Sequence, residues 1–100
     1  MLKNFRSYQL AVVLYQECRK ASLPYYLKDQ LVRAASSIAL NLAEGSAKPT
    51  RKDRLRFYTF SLASLREVQA VLDLEGKNYF DDLRKKADIL GAHIYKLCQQ

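Results

Sequence analysis

The chain has one histidine, two cysteines, three glycines and two prolines in 100 residues, and each scarcity closes off a class of chemistry. His93 stands alone, just after Gly91 and Ala92, so no Ser–His–Asp arrangement is signalled. The residues at helical spacing from it include Ile89, Leu90 and Leu97, none of which ligates a metal, so no metal or other cofactor is implied. Cys18 and Cys98 make neither a metal-spacing motif nor a short redox motif. With no base suggested beside it, Cys18 reads as a small core residue and not a nucleophile. In an antiparallel bundle the two thiols lie near opposite ends, which forbids an intrachain disulfide. No glycine-rich phosphate loop is present. These absences predict a protein that is not an enzyme.

Long apolar runs are missing too. No segment reaches the ~18 uninterrupted apolar residues of a membrane span. The start, MLKNFRSYQLAVVLYQECRK, is basic with an apolar middle, but it lacks a small-residue cleavage site. Its apolar residues follow helical spacing, so it reads as a first helix, and a cytoplasmic protein without a membrane partner is expected. Acidic residues are outnumbered 10 to 17, a formal charge of +7. That excess favours polyanions such as RNA or DNA, or an acidic protein surface.

What is present is helical. Hydrophobic residues make up 49% and charged residues 27%, the balance of one small globular domain over residues 1–100. The first helix runs from about Asn4 to Ala21, with Tyr8, Ala11, Val12, Tyr15 and Cys18 as its core stripe. Pro24 breaks it. The second helix runs from near Tyr25 to about Ala47. Thr50 is the expected N-cap of the third, with Asp53 as capping partner. That helix continues to about Leu74, and Gly76 suits a left-handed stop. Asn78 caps the fourth, whose Phe80, Leu83, Ala87, Leu90, Ile94 and Leu97 repeat at steps of three and four. Short connections make neighbours antiparallel, giving an all-α, up-down-up-down four-helix bundle.

Two helices carry more apolar surface than one bundle needs. On the second helix, Leu27, Leu31, Ala34, Ala35, Ile38, Leu42 and Gly45 form one stripe, and Val32, Ser36, Ala39 and Ala43 form another beside it. Even the sector left for water, with Arg33, Ser37, Asn41 and Glu44, includes Leu40. The third helix has one seam of Tyr58, Leu62, Leu65, Val68 and Leu72 and a second of Phe57, Phe60, Ser64, Glu67, Val71 and Leu74. Surplus stripes of this size predict a homo-oligomer, with Leu40, Phe57, Phe60 and Val71 at its interface.

The polar residues on these helices admit two readings. Glu44 and Glu67 could be paired carboxylates of a di-metal bundle, but such sites need a Glu-x-x-His pair that this chain lacks. The structural reading is preferred: Asn41 and Glu67 are bonded among apolar neighbours, and Arg33 and Glu67 form an ion pair within or between subunits. The tyrosines and phenylalanines mostly fall on core stripes, with Tyr25, Tyr26 and Tyr79 expected to be exposed. Basic residues fall in two groups. Lys48, Arg51, Lys52, Arg54 and Arg56 cluster at the second turn and the start of the third helix; Arg19, Lys20, Lys28, Lys77, Arg84, Lys85 and Lys86 gather towards the opposite end. Positive charge at a helix N-terminus opposes the dipole, and a local cost with no structural return hints at phosphate contacts. A solvated turn that keeps an oligomer soluble is the plainer alternative.

The segment QLVRAASSIALNLAEGSAKPTRKDRLRFYTFSLASLREVQAVLDL resembles a bacterial four-helix bundle family whose founding members are encoded by intervening sequences within large-subunit ribosomal RNA genes. The pattern is carried by Gln30, Leu31, Arg33, Ala34, Ala35, Ser37, Ile38, Asn41, Ala43, Glu44, Gly45, Phe57, Ser64 and Glu67. The resemblance implies an up-down bundle closing into a ring, typically a homopentamer, with no established enzymatic activity. The chain is also similar to the accessory proteins of diversity-generating retroelements, basic pentameric barrels that bind a reverse transcriptase and nucleic acid. On this resemblance Arg33, Asn41, Glu44 and Glu67 are bundle and interface determinants. A ring that binds RNA or DNA through the basic turn is the leading expectation; a scaffold for an acidic protein partner is the other.

Overall fold

The computed structural model describes residues 2–76 and 80–99. A short 3-10 turn at Leu2–Asn4 leads into α1 (Arg6–Lys20), α2 (Tyr25–Ser46), α3 (Arg51–Glu75) and α4 (Asp81–Gln99). The described residues contain no strand. Asn78, expected to cap α4, lies outside the described residues, as do Lys77 and Tyr79.

The helix limits follow from local chemistry. Pro24 holds an extended φ/ψ pair before α2, and the backbone N–H groups of Leu27 and Lys28 donate to its carbonyl. Thr50 caps α3, its hydroxyl accepting from the Asp53 backbone N–H at 3.2 Å. Gly76 ends α3 with φ 70°, a left-handed position that glycine takes without a Cβ penalty, and its N–H reaches the Leu72 carbonyl.

Each helix packs on the next and α1 also packs on α4, with the α2–α3 contact the most extensive. On α2 the buried residues are Leu27, Leu31, Ala34, Ala35, Ile38, Leu42 and Gly45, the stripe expected from spacing. On α1 the buried set is Ser7, Ala11, Leu14 and Cys18, which rotates the expected stripe. Tyr8 and Tyr15 are half-buried flanking residues, since a tyrosine ring can cover a core edge while its hydroxyl stays near water. On α3 the buried row is Tyr58, Ser61, Leu65, Val68, Val71 and Leu72. Ser61 thus replaces Leu62 at the centre. Val71, expected on a surplus seam, is 2% exposed, because the broad α2–α3 contact widens the covered sector of α3.

Two close approaches fix how the helices sit. A Cβ on Gly45 would meet Tyr58 Cε1 at 2.8 Å and Phe57 Cβ at 3.1 Å. One on Gly91 would meet Leu65 Cδ2 at 2.7 Å. Among the described residues every buried side-chain nitrogen and oxygen has a hydrogen-bond partner.

Candidate functional site: the basic turn and the outer face of α2 and α3

The turn joining α2 to α3 holds the five cations picked out from sequence, and the fold gives them different tasks. Arg54 is half-buried, and its Nη1 donates to the carbonyls of Lys48 at 3.2 Å and Pro49 at 3.0 Å. Those oxygens follow the end of α2, where partial negative charge gathers. The expectation of a cost without structural return therefore needs correction: Arg54 repays it by holding the turn. Lys48, half-buried, pairs with the exposed Glu44 at 3.3 Å, and its Nζ lies 5.2 Å from the Phe57 ring centroid. Arg56 covers the same ring at 4.8 Å. Arg51 is exposed and makes one long bond, 3.5 Å, to the Leu97 carbonyl. Lys52 is exposed and makes no ion pair with any described residue.

Three cations of the second group, Lys86, Arg84 and Lys28, are tied down, whereas Arg19, Lys20 and Lys85 stay exposed. Lys86 donates to Glu17 at 3.0 Å and to Asp82 at 2.8 Å, and these hydrogen bonds hold its pKa above the usual lysine value. Arg84 donates to the Leu72 carbonyl at 2.7 Å and to Asp81 at 3.2 Å. Lys28 reaches the Ala21 carbonyl at 2.6 Å. These bonds fasten α1, α3 and α4 to their neighbours.

Between α2 and α3 runs a polar seam. Ser61 Oγ donates to the Ile38 carbonyl at 2.9 Å. Ser64 Oγ donates to Ser37 Oγ at 2.8 Å, and Asn41 Nδ2 donates to the Ser37 hydroxyl and carbonyl at 3.0 and 2.9 Å. Ser37, assigned to solvent from its helical angle, is half-buried here. Ser61 was not singled out in the sequence at all. Its position in the buried row beside Leu65 and Tyr58 carried the signal, but a serine there reads as a gap in the hydrophobic pattern.

The outer rows of the same two helices look different. Leu40 is 68% exposed and Phe60 47% exposed, with Phe60 meeting Phe57 edge-on at 5.9 Å. Glu67 is exposed, not buried among apolar neighbours as expected. No ion pair joins it to Arg33, which binds Asp29 at 3.1 Å, one helical turn away. The i,i+4 spacing of Asp29 and Arg33 could have shown that. Leu40 also rims an apolar groove that Tyr8, Val12, Tyr15, Ser36 and Ala39 line.

The family model described as 23S rRNA-intervening sequence protein matches residues 3–100. The chain belongs to that family. The 23S rRNA-intervening sequence match takes in the basic turn, the polar seam and the outer rows together. No curated protein and no solved structure matches the chain.

Two buried reactive groups of the chain are held protonated. Burial pushes the Cys18 thiol up to about 12, so it stays protonated and is a poor nucleophile near neutrality. Tyr58 is also raised by burial, against the pull of Arg54 and Arg51. Among the described residues no group of three or more His, Cys, Asp or Glu side chains is placed to hold a metal ion. No helix of the described residues is long and apolar enough to cross a membrane.

Proposed function

We propose that this protein is a non-enzymatic, cytoplasmic homo-oligomer that binds the phosphates of RNA or DNA. In this reading the helices alternate up and down, and copies close into a ring, a pentamer by family resemblance. Ser61 against Ile38, Ser64 against Ser37, and Phe57 and Tyr58 against Gly45 support the alternation, because numbers rise along α3 as they fall along α2. The exposed Leu40 and Phe60 support self-association.

The observation that carries the phosphate reading is the turn itself. From residue 44 to residue 56 the chain has five cations against Glu44 and Asp53 only. Arg51 and Lys52 are its exposed and least committed members. Such groups meet phosphate oxygens without reading sequence, and a ring repeats them once per copy, so weak contacts add up.

The test is light scattering on the purified protein, with the 260/280 nm absorbance ratio taken before and after a high-salt wash. A fluorescent RNA hairpin and a DNA duplex are then titrated at about 50 and 200 mM salt. A ring-sized mass whose nucleic-acid affinity falls steeply with salt, and falls further in Arg51→Glu/Lys52→Glu, is the expected result. A ring that ignores both probes at the lower salt would overturn the phosphate reading and direct attention to an acidic protein partner.

A further inference from the structure

The outer rows of α2 and α3 match each other residue for residue when the two helices are compared level by level. We infer that the ring closes by laying α2 of one copy against α3 of the next, Leu40 on Phe60, Arg33 on Glu67 and Glu44 on Arg56. The inference rests on the proposed ring and names its interface.

Levels are set by the two bonds that cross the seam. Ile38 sits opposite Ser61, and Ser37 opposite Ser64. Counting forward along α2 and back along α3 from these anchors puts Leu40 level with Phe60. Counting the other way puts Arg33 level with Glu67, and four residues beyond Leu40, Glu44 comes level with Arg56. A closed ring whose axis lies along the bundle has no rise from copy to copy, so each residue meets its neighbour at its own level. Apolar then faces apolar, cation faces anion, and anion faces cation.

The register is specific. Sliding α3 by four residues in one direction would set Arg33 against Val71, Leu40 against Ser64 and Glu44 against Phe60. Sliding it the other way would set Arg33 against Ala63 and Leu40 against Arg56. Only the level register satisfies all three positions. Within one chain these six residues are all exposed, although Arg56 covers the Phe57 ring and Phe60 meets its edge. Leu40 and Phe60 are exposed, and Glu67 is exposed and makes no ion pair with any described residue. Arg33 and Glu44 are themselves exposed and pair one turn away with the half-buried Asp29 and Lys48, partly solvated contacts that contribute little.

The experiment compares wild type, Arg33→Glu, Glu67→Arg and the double variant by light scattering, with circular dichroism to confirm folding. Each single variant should fall to the mass of one chain with its helix content unchanged. The double variant should regain the ring, although it has lost the Arg33–Asp29 pair just as the single variant has. In parallel, Leu40→Cys and Phe60→Cys chains, both lacking Cys98, are co-expressed and oxidised. A dimer cross-linked between the two kinds of chain is expected, and none from either alone. A wild-type ring that survives both charge reversals, with no mixed cross-link, overturns this interface and leaves the ring standing. A wild-type monomer removes the ring itself, and the inference with it.

Discussion

Between α2 and α3, serine and asparagine side chains find partners inside the chain; on the outer face of the same helices, arginine and glutamate find near neighbours or none. Ser61, Ser64, Ser37 and Asn41 make bonds of 2.8–3.0 Å across and along the seam. Among the described residues Arg33 and Glu44 pair only within α2, one turn away, and Leu40 and Phe60 are exposed. The seam's bonds join elements of one chain, whereas the outer row leaves apolar and charged groups at the surface. Replacing seam residues should change the stability of the single chain. Replacing outer-row residues should change mass and leave that stability alone.

The largest effect should come from two residues that sit two positions apart on α2. Ile38 is fully buried and Leu40 largely exposed. Ile38→Ala should destabilise the chain by about 2–5 kcal/mol through lost burial and the cavity left behind. Leu40→Ala should cost the isolated chain under about 0.5 kcal/mol. Urea midpoints taken over a dilution series make the check, because any apparent loss in Leu40→Ala that comes from subunit contacts depends on concentration. Equal losses for the two variants at high dilution would erase the distinction between seam and outer row.

Much of the fold was legible in the sequence. The α2 stripe, the Thr50 cap and the Gly76 stop all follow from local rules, and the structure places each where those rules predict. What stayed hidden is rotation. Periodicity alone put Tyr8, Val12 and Tyr15 in the α1 core, yet Leu14 and Ser7 occupy it with Ala11 and Cys18. Hydrophobic pattern also favours Leu62 over Ser61, because it counts a hydroxyl as polar whatever it can bond to. A short serine side chain whose hydroxyl donates a hydrogen bond to a carbonyl of the neighbouring helix can be buried at little cost, and lets two helices approach closely. The basic turn was read as a cluster but not as individuals. That Arg54 would fold back on the Lys48 and Pro49 carbonyls depends on the path of the turn, which spacing does not encode.

Gly45 sharpens the comparison at an intermediate scale. Alanine there gains about 1 kcal/mol of helix propensity, but its Cβ would meet Tyr58 Cε1 at 2.8 Å and Phe57 Cβ at 3.1 Å. Overpacking of that kind costs roughly 1–3 kcal/mol. Phe57 Cβ is part of the α3 stem and cannot swing away, so the contact wins and Gly45→Ala should lower the thermal midpoint. A rise in that midpoint would mean the two helices are free to separate at this level, and that the seam is softer than its bonds imply.

The smallest effect is the most discriminating. Ser64 and Glu67 lie one turn apart on α3, one half-buried and bonded to Ser37, the other exposed. Ser64→Ala should cost about 0.5–1.5 kcal/mol, the net worth of an ordinary hydrogen bond. The lower part of that range is expected, because Asn41 still donates to the Ser37 hydroxyl at 3.0 Å. Glu67→Gln, which keeps shape and removes charge, should leave the stability of the diluted chain unchanged while weakening assembly. A double-mutant cycle of Ser64→Ala with Ser37→Ala should show coupling of about 0.5 kcal/mol or more, whereas Ser64→Ala with Glu67→Gln should be additive. Coupling in the second cycle would place Glu67 in the seam's network. The outer row would then be an extension of the fold and not a surface kept for another copy.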